Sequence, residues 1–379
     1  MTVYLNGWGV FLPNEPVSND QIERVLGAVG GRPSRMKEVI LARNGIQSRH
    51  YSIDPATGKS THTNAQLTAA SIDCLLDRTG LHKDQIDLLS CGTSSPDQWI
   101  PNHAAMVQGV LCLPPCEIVS TAGVCCSGMT ALRYGCNAVA LAPDTNAIVT
   151  GSELASGSLK AAHFRHQLEA RADNNPYLSF ENEFLRWMLS DGAGAVLVQS
   201  HPNSSGLSLR VDWIDIVSYA GELESCMYAG AIKRQDGSLE GWRDAVDPNS
   251  MLRLGYLNLS QDARTLERNV IPVAFRRSLE RIIAKYGLPA SEVDWLLPHM
   301  SSEFFRQPIA DTMRDLHFEV PQDRWFTNLA TKGNTGSASI FIMLEELATS
   351  GRLRSGQRIV CVVPESARFS FAYMLLTVV

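Results

Sequence analysis

The chain has 379 residues, 45% hydrophobic, 19% charged and 7% aromatic, with a formal net charge of −6 and a pI near 5.9. That length suits about two to three domains or one large duplicated α/β unit, and its apolar content excludes a wholly disordered chain. Mild acidity without a Lys/Arg run argues against a nucleic-acid binder, since nothing would neutralise phosphates.

No apolar stretch approaches the roughly 18 to 20 residues that span a bilayer. The apolar N-terminus lacks a basic region and a small-residue cleavage site, so it is expected to be a strand ending at Pro13, not a signal peptide. Nine cysteines occur, an odd count without Cys-x-x-Cys or Cys/His ligand spacing. That disfavours both a disulfide framework and a zinc site, and the simplest reading is a cytoplasmic protein with reduced thiols.

In chain order, a helical pattern over Asn64–Leu81 precedes strand-like runs at Leu88–Gly92, Glu117–Thr121, Ala147–Gly151 and Gly194–Gln199. A second series follows at Leu207–Ile216, Trp295–Pro298, Arg358–Val363 and Ser370–Val378, with amphipathic segments at Val273–Lys285 and Ala338–Ser350. Such alternation predicts an α/β fold with largely parallel, buried strands. The polar stretches Arg165–Glu183 and Glu222–Asp247 lack periodicity and resemble insertions, either lids and partner-facing elements or surface decoration. One echo stands out. Glu117–Glu153 reads strand, small-residue turn, helix, strand, and Phe326–Pro364 repeats that order, with a strand expected at Phe326–Ala330. The repeat suggests an internal duplication.

The segment Ser120-Thr-Ala-Gly-Val-Cys-Cys-Ser-Gly-Met-Thr130 runs from a strand through small residues into a helix beginning at Cys126. A cysteine there faces unpaired backbone N–H groups and the positive end of the helix dipole, both favouring a thiolate nucleophile. A buried core cysteine is the competing reading. The adjacent Cys125 is expected to point the other way on the turn, into the core. The run Trp295-Leu-Leu-Pro-His-Met300 delivers His299 at a strand's C-terminal end, where ligands gather in open α/β sheets, although structural histidines also occur there. Asn334 lies in a glycine-flanked turn opening a helix, as an ordinary cap or part of an anion cradle.

Taken together, Arg43-Asn-Gly-Ile-Gln-Ser-Arg-His50, Cys126-Ser-Gly-Met129, Ser190-Asp-Gly-Ala-Gly-Ala195, Pro298-His299 and Gly333-Asn334-Thr335 resemble, in order, the condensing enzymes of the thiolase superfamily, of the β-ketoacyl-ACP synthase III type. The resemblance implies a thiolase-like five-layered α-β-α-β-α fold from two duplicated halves, here 1–200 and 201–379. It implies Cys126 as the acylated nucleophile, facing His299 and Asn334 across the junction. It further implies acyl carrier protein and acyl thioesters as partners, a homodimer, and neither a metal nor a redox cofactor. A thiolate accepts an acyl group from a thioester, and His299 and Asn334 can donate hydrogen bonds to the second substrate's enolate.

Several positions depart from the family pattern. The C-terminal Gly-Gly-Gly-Phe loop is Ser366-Ala-Arg-Phe369 here, where Ala367 is expected to supply an oxyanion-hole N–H and Arg368 a guanidinium near the pocket. The aromatic that stacks on coenzyme A adenine is Val39, and the Ser94–Pro101 loop places Trp99 and Ile100 at the expected dimer interface and acyl pocket. Glu153, at a strand's end, could abstract a C–H proton or serve as a cap or salt-bridge partner. These departures look most like the branch that forms dialkylresorcinols and stilbene precursors. That resemblance implies joining a β-ketoacyl thioester to an unsaturated acyl thioester by Michael and Claisen steps, giving a cyclohexanedione or resorcinol product. The alternatives are malonyl-ACP-dependent extension of a primer, acyl transfer to an oxygen or nitrogen acceptor, and a silent partner subunit.

Overall fold

The computed structural model describes residues 2–170 and 180–379, so part of the Arg165–Glu183 stretch lies outside the described residues. Nine strands share one sheet: β1 (Val3–Phe11), β2 (Leu88–Thr93), β3 (Glu117–Ala122), β4 (Ala147–Glu153), β5 (Gly192–Gln199), β6 (Leu209–Ser218), β7 (Trp295–Pro298), β8 (Arg358–Glu365) and β9 (Ser370–Val378). Their order is β7-β8-β9-β6-β1-β5-β4-β2-β3. β2 is parallel to both β3 and β4, and β7 is parallel to β8.

The halves of the sheet meet through a narrow seam, where β1 pairs with β6 at only Val3↔Val211, Tyr4↔Arg210 and Leu5↔Leu209. On either side the strands repeat one order. β3-β2-β4-β5-β1 is matched by β7-β8-β9-β6, preceded by a parallel bridge between Leu296 and Trp325. The strand expected at Phe326–Ala330 is therefore reduced to that bridge, and Leu329–Lys332 is a short helix. With Asn328 before it and Gly333 at positive φ after it, the chain turns there instead of extending.

Helices separate and cover the two halves. α1 (Asn64–Thr79) begins at a Thr63/Gln66 capping box and stops at Gly80, whose left-handed conformation ends it before Leu81. With α2 (His103–Leu111) it buries Ala65, Leu75 and Val107 on the outer face of the first half. α3 (Cys126–Leu141) and α6 (Ser339–Thr349) fill the middle, where Met129, Leu132 and Leu344 pack with Val149 and Val363 from opposite halves. On the far side, α4 (Ala263–Asn269) continues through a π-helical Val270–Phe275 into α5 (Arg276–Tyr286). Pro272 has no N–H for the α ladder, which accounts for the wider turn within that apolar run. Leu279 and Ile282 pack there with Leu296 and Tyr373. The succession is helix, sheet, helix, sheet, helix. Among the described residues no helix is long and apolar enough to cross a membrane.

Candidate active site

The strand ends of both halves open into one cavity of about 1610 Å³. Cys125, Glu153, His299 and Asn334 all line it. Its lining is mixed, with polar Ser94, Asp97, His103 and Ser120 and apolar Leu257, Leu266, Ile271, Phe305 and Ile309. At the mouth, the exposed Trp99 stacks on Trp242, with ring centroids 4.6 Å apart, and the Arg243 guanidinium lies 5.2 Å from the Trp242 ring. The insertion Glu222–Asp247 thus does reach the cavity.

The two adjacent cysteines are both buried and differ in what they face. Cys126 opens α3, but its Sγ donates to the Val363 carbonyl at 3.2 Å and sits in the apolar layer between the halves. Cys126 does not line the cavity; Cys125 does. The helix period explains this, because Cys126 shares a face with the fully buried Met129 one turn on. Cys125, as the cap residue, is free of that face. Burial, with the carboxylates of Glu365 and Glu153 nearby, holds the Cys125 thiol well above the ordinary range.

Strand β7 ends at Pro298 and delivers His299, whose N–H donates to the Val362 carbonyl at 2.8 Å. Burial lowers its pKa to about 4, so the ring is neutral near pH 7. Asn334 is fixed by its backbone, with its N–H donating to Met188 and its carbonyl accepting from Ser190. Its Oδ1 accepts from the Gly336 N–H at 2.9 Å, leaving the amide NH2 as the donor to offer a ligand.

Glu153 ends β4 and is buried. Its Oε1 accepts from the N–H groups of Ser94 at 3.1 Å and Ser337 at 3.3 Å. Its Oε2 accepts from the hydroxyls of Ser94 at 2.6 Å and Ser95 at 2.9 Å. These bonds favour the charged form, yet burial wins and raises its pKa to about 7. Gly336 must be glycine here: its φ is +51°, and a Cβ would stand 2.6 Å from the Glu153 Cγ.

Other expected site residues lie elsewhere. Arg368 is exposed and outside the cavity, its Nε donating to the Leu223 carbonyl at 3.2 Å. A left-handed Phe369, fully buried, anchors that corner and turns Arg368 outward. Ala367 does not line the cavity either; its carbonyl receives the Cys226 N–H at 2.7 Å, and Ser366 and Pro364 face the cavity instead. Ile100 is 87% exposed and outside it, whereas Trp99 is at its mouth. Sequence reasoning missed Glu365, the last residue of β8. Its Oε2 accepts from the N–H groups of Val124 and Cys126, each at 3.1 Å.

The layered fold and a site at the junction of two repeated halves define a thiolase-like protein. Comparison with known proteins agrees. The family model for the 3-oxoacyl-[acyl-carrier-protein] synthase III C-terminal region matches residues 283–367. A β-ketoacyl-[acyl-carrier-protein] synthase III of Chlorobaculum tepidum is 24% identical over 355 residues, covering 93% of this chain and 92% of that protein. Among solved structures, the tetronic acid condensing enzyme AbyA1 superposes with a TM-score of 0.76 at 22% identity, covering 99% of this chain and 100% of that one. OleA of Xanthomonas campestris, solved with bound lauric acid and lauroyl-CoA, gives 0.72 at 18% identity, covering 100% and 99%. The chain is thus similar along most of its length to β-ketoacyl-ACP synthase III and has the fold of the thiolase-type condensing enzymes.

Proposed function

We propose that the protein takes an acyl chain from a thioester onto Cys126 and joins it, by carbon–carbon bond formation, to a β-ketoacyl thioester, giving a cyclohexanedione or dialkylresorcinol-type product. The observation that carries the reading is the cavity. Its volume of about 1610 Å³ exceeds the roughly 300–1,000 Å³ of ordinary small-molecule sites. Its apolar lining residues suit an alkyl chain and its polar ones a β-keto thioester, with His299 and Asn334 among them.

In loading, the Cys126 sulfur bonds to the acyl carbon, the donor's C–S bond breaks and the released carrier thiol takes a proton. The neutral His299 ring and the Asn334 amide then donate hydrogen bonds to the carbonyl oxygen that becomes an enolate. Michael addition of the β-ketoacyl carbon nucleophile to the unsaturated chain forms the first carbon–carbon bond. A Claisen attack on the enzyme thioester closes the ring and frees the cysteine. Hydrolysis of the remaining thioester releases the carrier thiol and decarboxylation gives the cyclohexanedione, while a resorcinol would need a further two-electron oxidation by a separate oxidant. Donors carried on acyl carrier protein, and a homodimer with Trp99 near the interface, belong to the same reading.

Extension of a primer with malonyl-ACP is the second reading, favoured by the family-model match and the names of the relatives. One experiment separates them. Purified protein is given a β-ketoacyl-ACP and an unsaturated acyl-ACP, with and without malonyl-ACP, alongside Cys125→Ala and Cys126→Ala. A cyclic product without malonyl-ACP, lost in Cys126→Ala and retained in Cys125→Ala, is expected. Product only with malonyl-ACP, accompanied by carbon dioxide, would replace ring formation with extension. Loss in Cys125→Ala alone would move the nucleophile to Cys125.

A further inference from the structure

We propose that Ile309 sets how long an acyl chain the site accepts. The hydrocarbon end of a bound chain lies against it, and a small apolar cavity behind it is the room that a shorter side chain opens. The inference rests on the proposed function only in taking an acyl chain as the ligand.

The second cavity, of about 20 Å³, adjoins the large one. Among the described residues, His299, Ile309 and Pro364 line both and so form the partition between them. His299 is the hydrogen-bond donor of the proposed reaction, and Pro364 belongs to strand β8. Ile309 is therefore the member whose side chain can shorten without touching the chemistry or the sheet. The lining of the small cavity is apolar apart from His299 and Tyr373, and the Tyr373 hydroxyl is engaged with Ser278 at 2.7 Å. A water needs two to four polar partners, which this lining does not offer, so hydrocarbon is the occupant it suits.

The order of side chains along two packed elements carries the lining from one cavity into the other. Phe305, Ile309 and Met313 recur every four residues along the helix Arg306–Asp315 and the residue before it, and so share a face. Phe305 lines the large cavity, Ile309 both and Met313 the small one. The π-helical segment packs on that helix, and from it into α5 the same spacing joins Ile271, Phe275 and Leu279. Ile271 lines the large cavity, and Phe275 and Leu279 line the small one. All six belong to one buried apolar cluster, and of the six Ile309 alone borders both spaces. Because interiors are close-packed, a chain gains length only where a side chain gives up volume. Isoleucine to alanine deletes three carbons and joins the small cavity to the large, which makes room for about two to four more chain carbons.

The test uses the full chain, with saturated fatty acids of eight to eighteen carbons as probes and binding read by titration calorimetry. Ile309→Ala, Ile309→Val and Leu288→Ala are compared with the parent. Leu288 lines only the small cavity, so its truncation enlarges that space and leaves the partition standing. The readout is the length profile, because general loosening weakens binding at every length alike. Ile309→Ala should favour an acid two carbons beyond the parent's optimum by about tenfold relative to that optimum. Ile309→Val, which loses one methylene, should move the same ratio by about threefold and decides the question if the alanine variant does not fold. Leu288→Ala should leave the profile where it was. An unchanged profile in the Ile309 variants would overturn the inference, as would an equal shift in Leu288→Ala or no binding at any length. The same proteins are then given the two acyl-ACP substrates. Cyclic product with an unmoved length profile would sink the role of Ile309 and keep the proposed function. A shifted fatty-acid profile without any coupled product would do the reverse.

Discussion

Glu153→Gln separates the energetic burden of a buried carboxylate from its use as an acceptor. The carboxyl moves from an ordinary 4.5 to about 7 on folding because burial outweighs its four hydrogen bonds. About 2.5 pH units correspond to ~3 kcal/mol, since each is 1.36 kcal/mol. The sign follows from linkage. The folded protein holds this proton more tightly than the unfolded chain, so its contribution is fully present below pH 4.5 and is lost as pH rises through 7. Glutamine carries no such dependence, and its Oε1 can still accept from Ser94 and Ser337 while its NH2 donates to a serine hydroxyl. Urea unfolding of both proteins at pH 5.5 and pH 8.5 should therefore show the variant gaining on the parent by about 2 kcal/mol between the two pH values. A constant difference across that range would refute the account, and with it the assignment of burial as the dominant cause. The same variant bears on proton abstraction: unchanged product formation by Glu153→Gln would end its role as a general base.

Three further expectations test the geometry. Gly151→Ala places a Cβ 2.3 Å from the Ser337 carbonyl and 2.8 Å from the Phe341 ring, so thermal unfolding should report a loss of about 1–3 kcal/mol or more, with reduced turnover. Arg368→Ala should leave turnover within about twofold in a steady-state assay, because an exposed guanidinium bonded to Leu223 removes little when deleted. The buried His299 ring, neutral down to about pH 4, should place the acidic limb of coupling well below the ordinary 6.5. Its share of stability is present above pH 6.5 and lost as pH falls towards 4, to be followed by acid unfolding of the parent and His299→Ala.

The frame was legible because its signals are strong and local. The run Ala147–Val149 and the alternating strand-and-helix order have no other economical reading, and Trp295–Pro298 places His299 without ambiguity. What local signals leave open depends on rotation or on distant partners. Cys125 and Cys126 differ only in which side of the helix start each occupies, and composition treats them alike. Met129 three residues on was the available signal for Cys126 as the one turned into the apolar layer. Arg368 was misplaced because nothing local announces the left-handed Phe369 that turns it outward. Glu365 escaped because the internal echo was followed to Pro364 and stopped one residue short of the counterpart of Glu153.

The reciprocal grip of the two strand-end carboxylates, Glu153 on the Ser337 turn and Glu365 on the nucleophile turn, has a bearing on how such a protein can change. The nucleophile turn is held by a residue some 240 positions away in the chain, while the hairpin Ala231–Lys233/Leu239–Gly241 and Trp242 beside the cavity mouth contain no residue of either grip. That hairpin can lengthen, shorten or exchange side chains without touching either grip. Reactivity and selectivity are thus inherited as separate modules. A lineage of such proteins can shift from one pair of substrates to another while its bond-forming apparatus stays put.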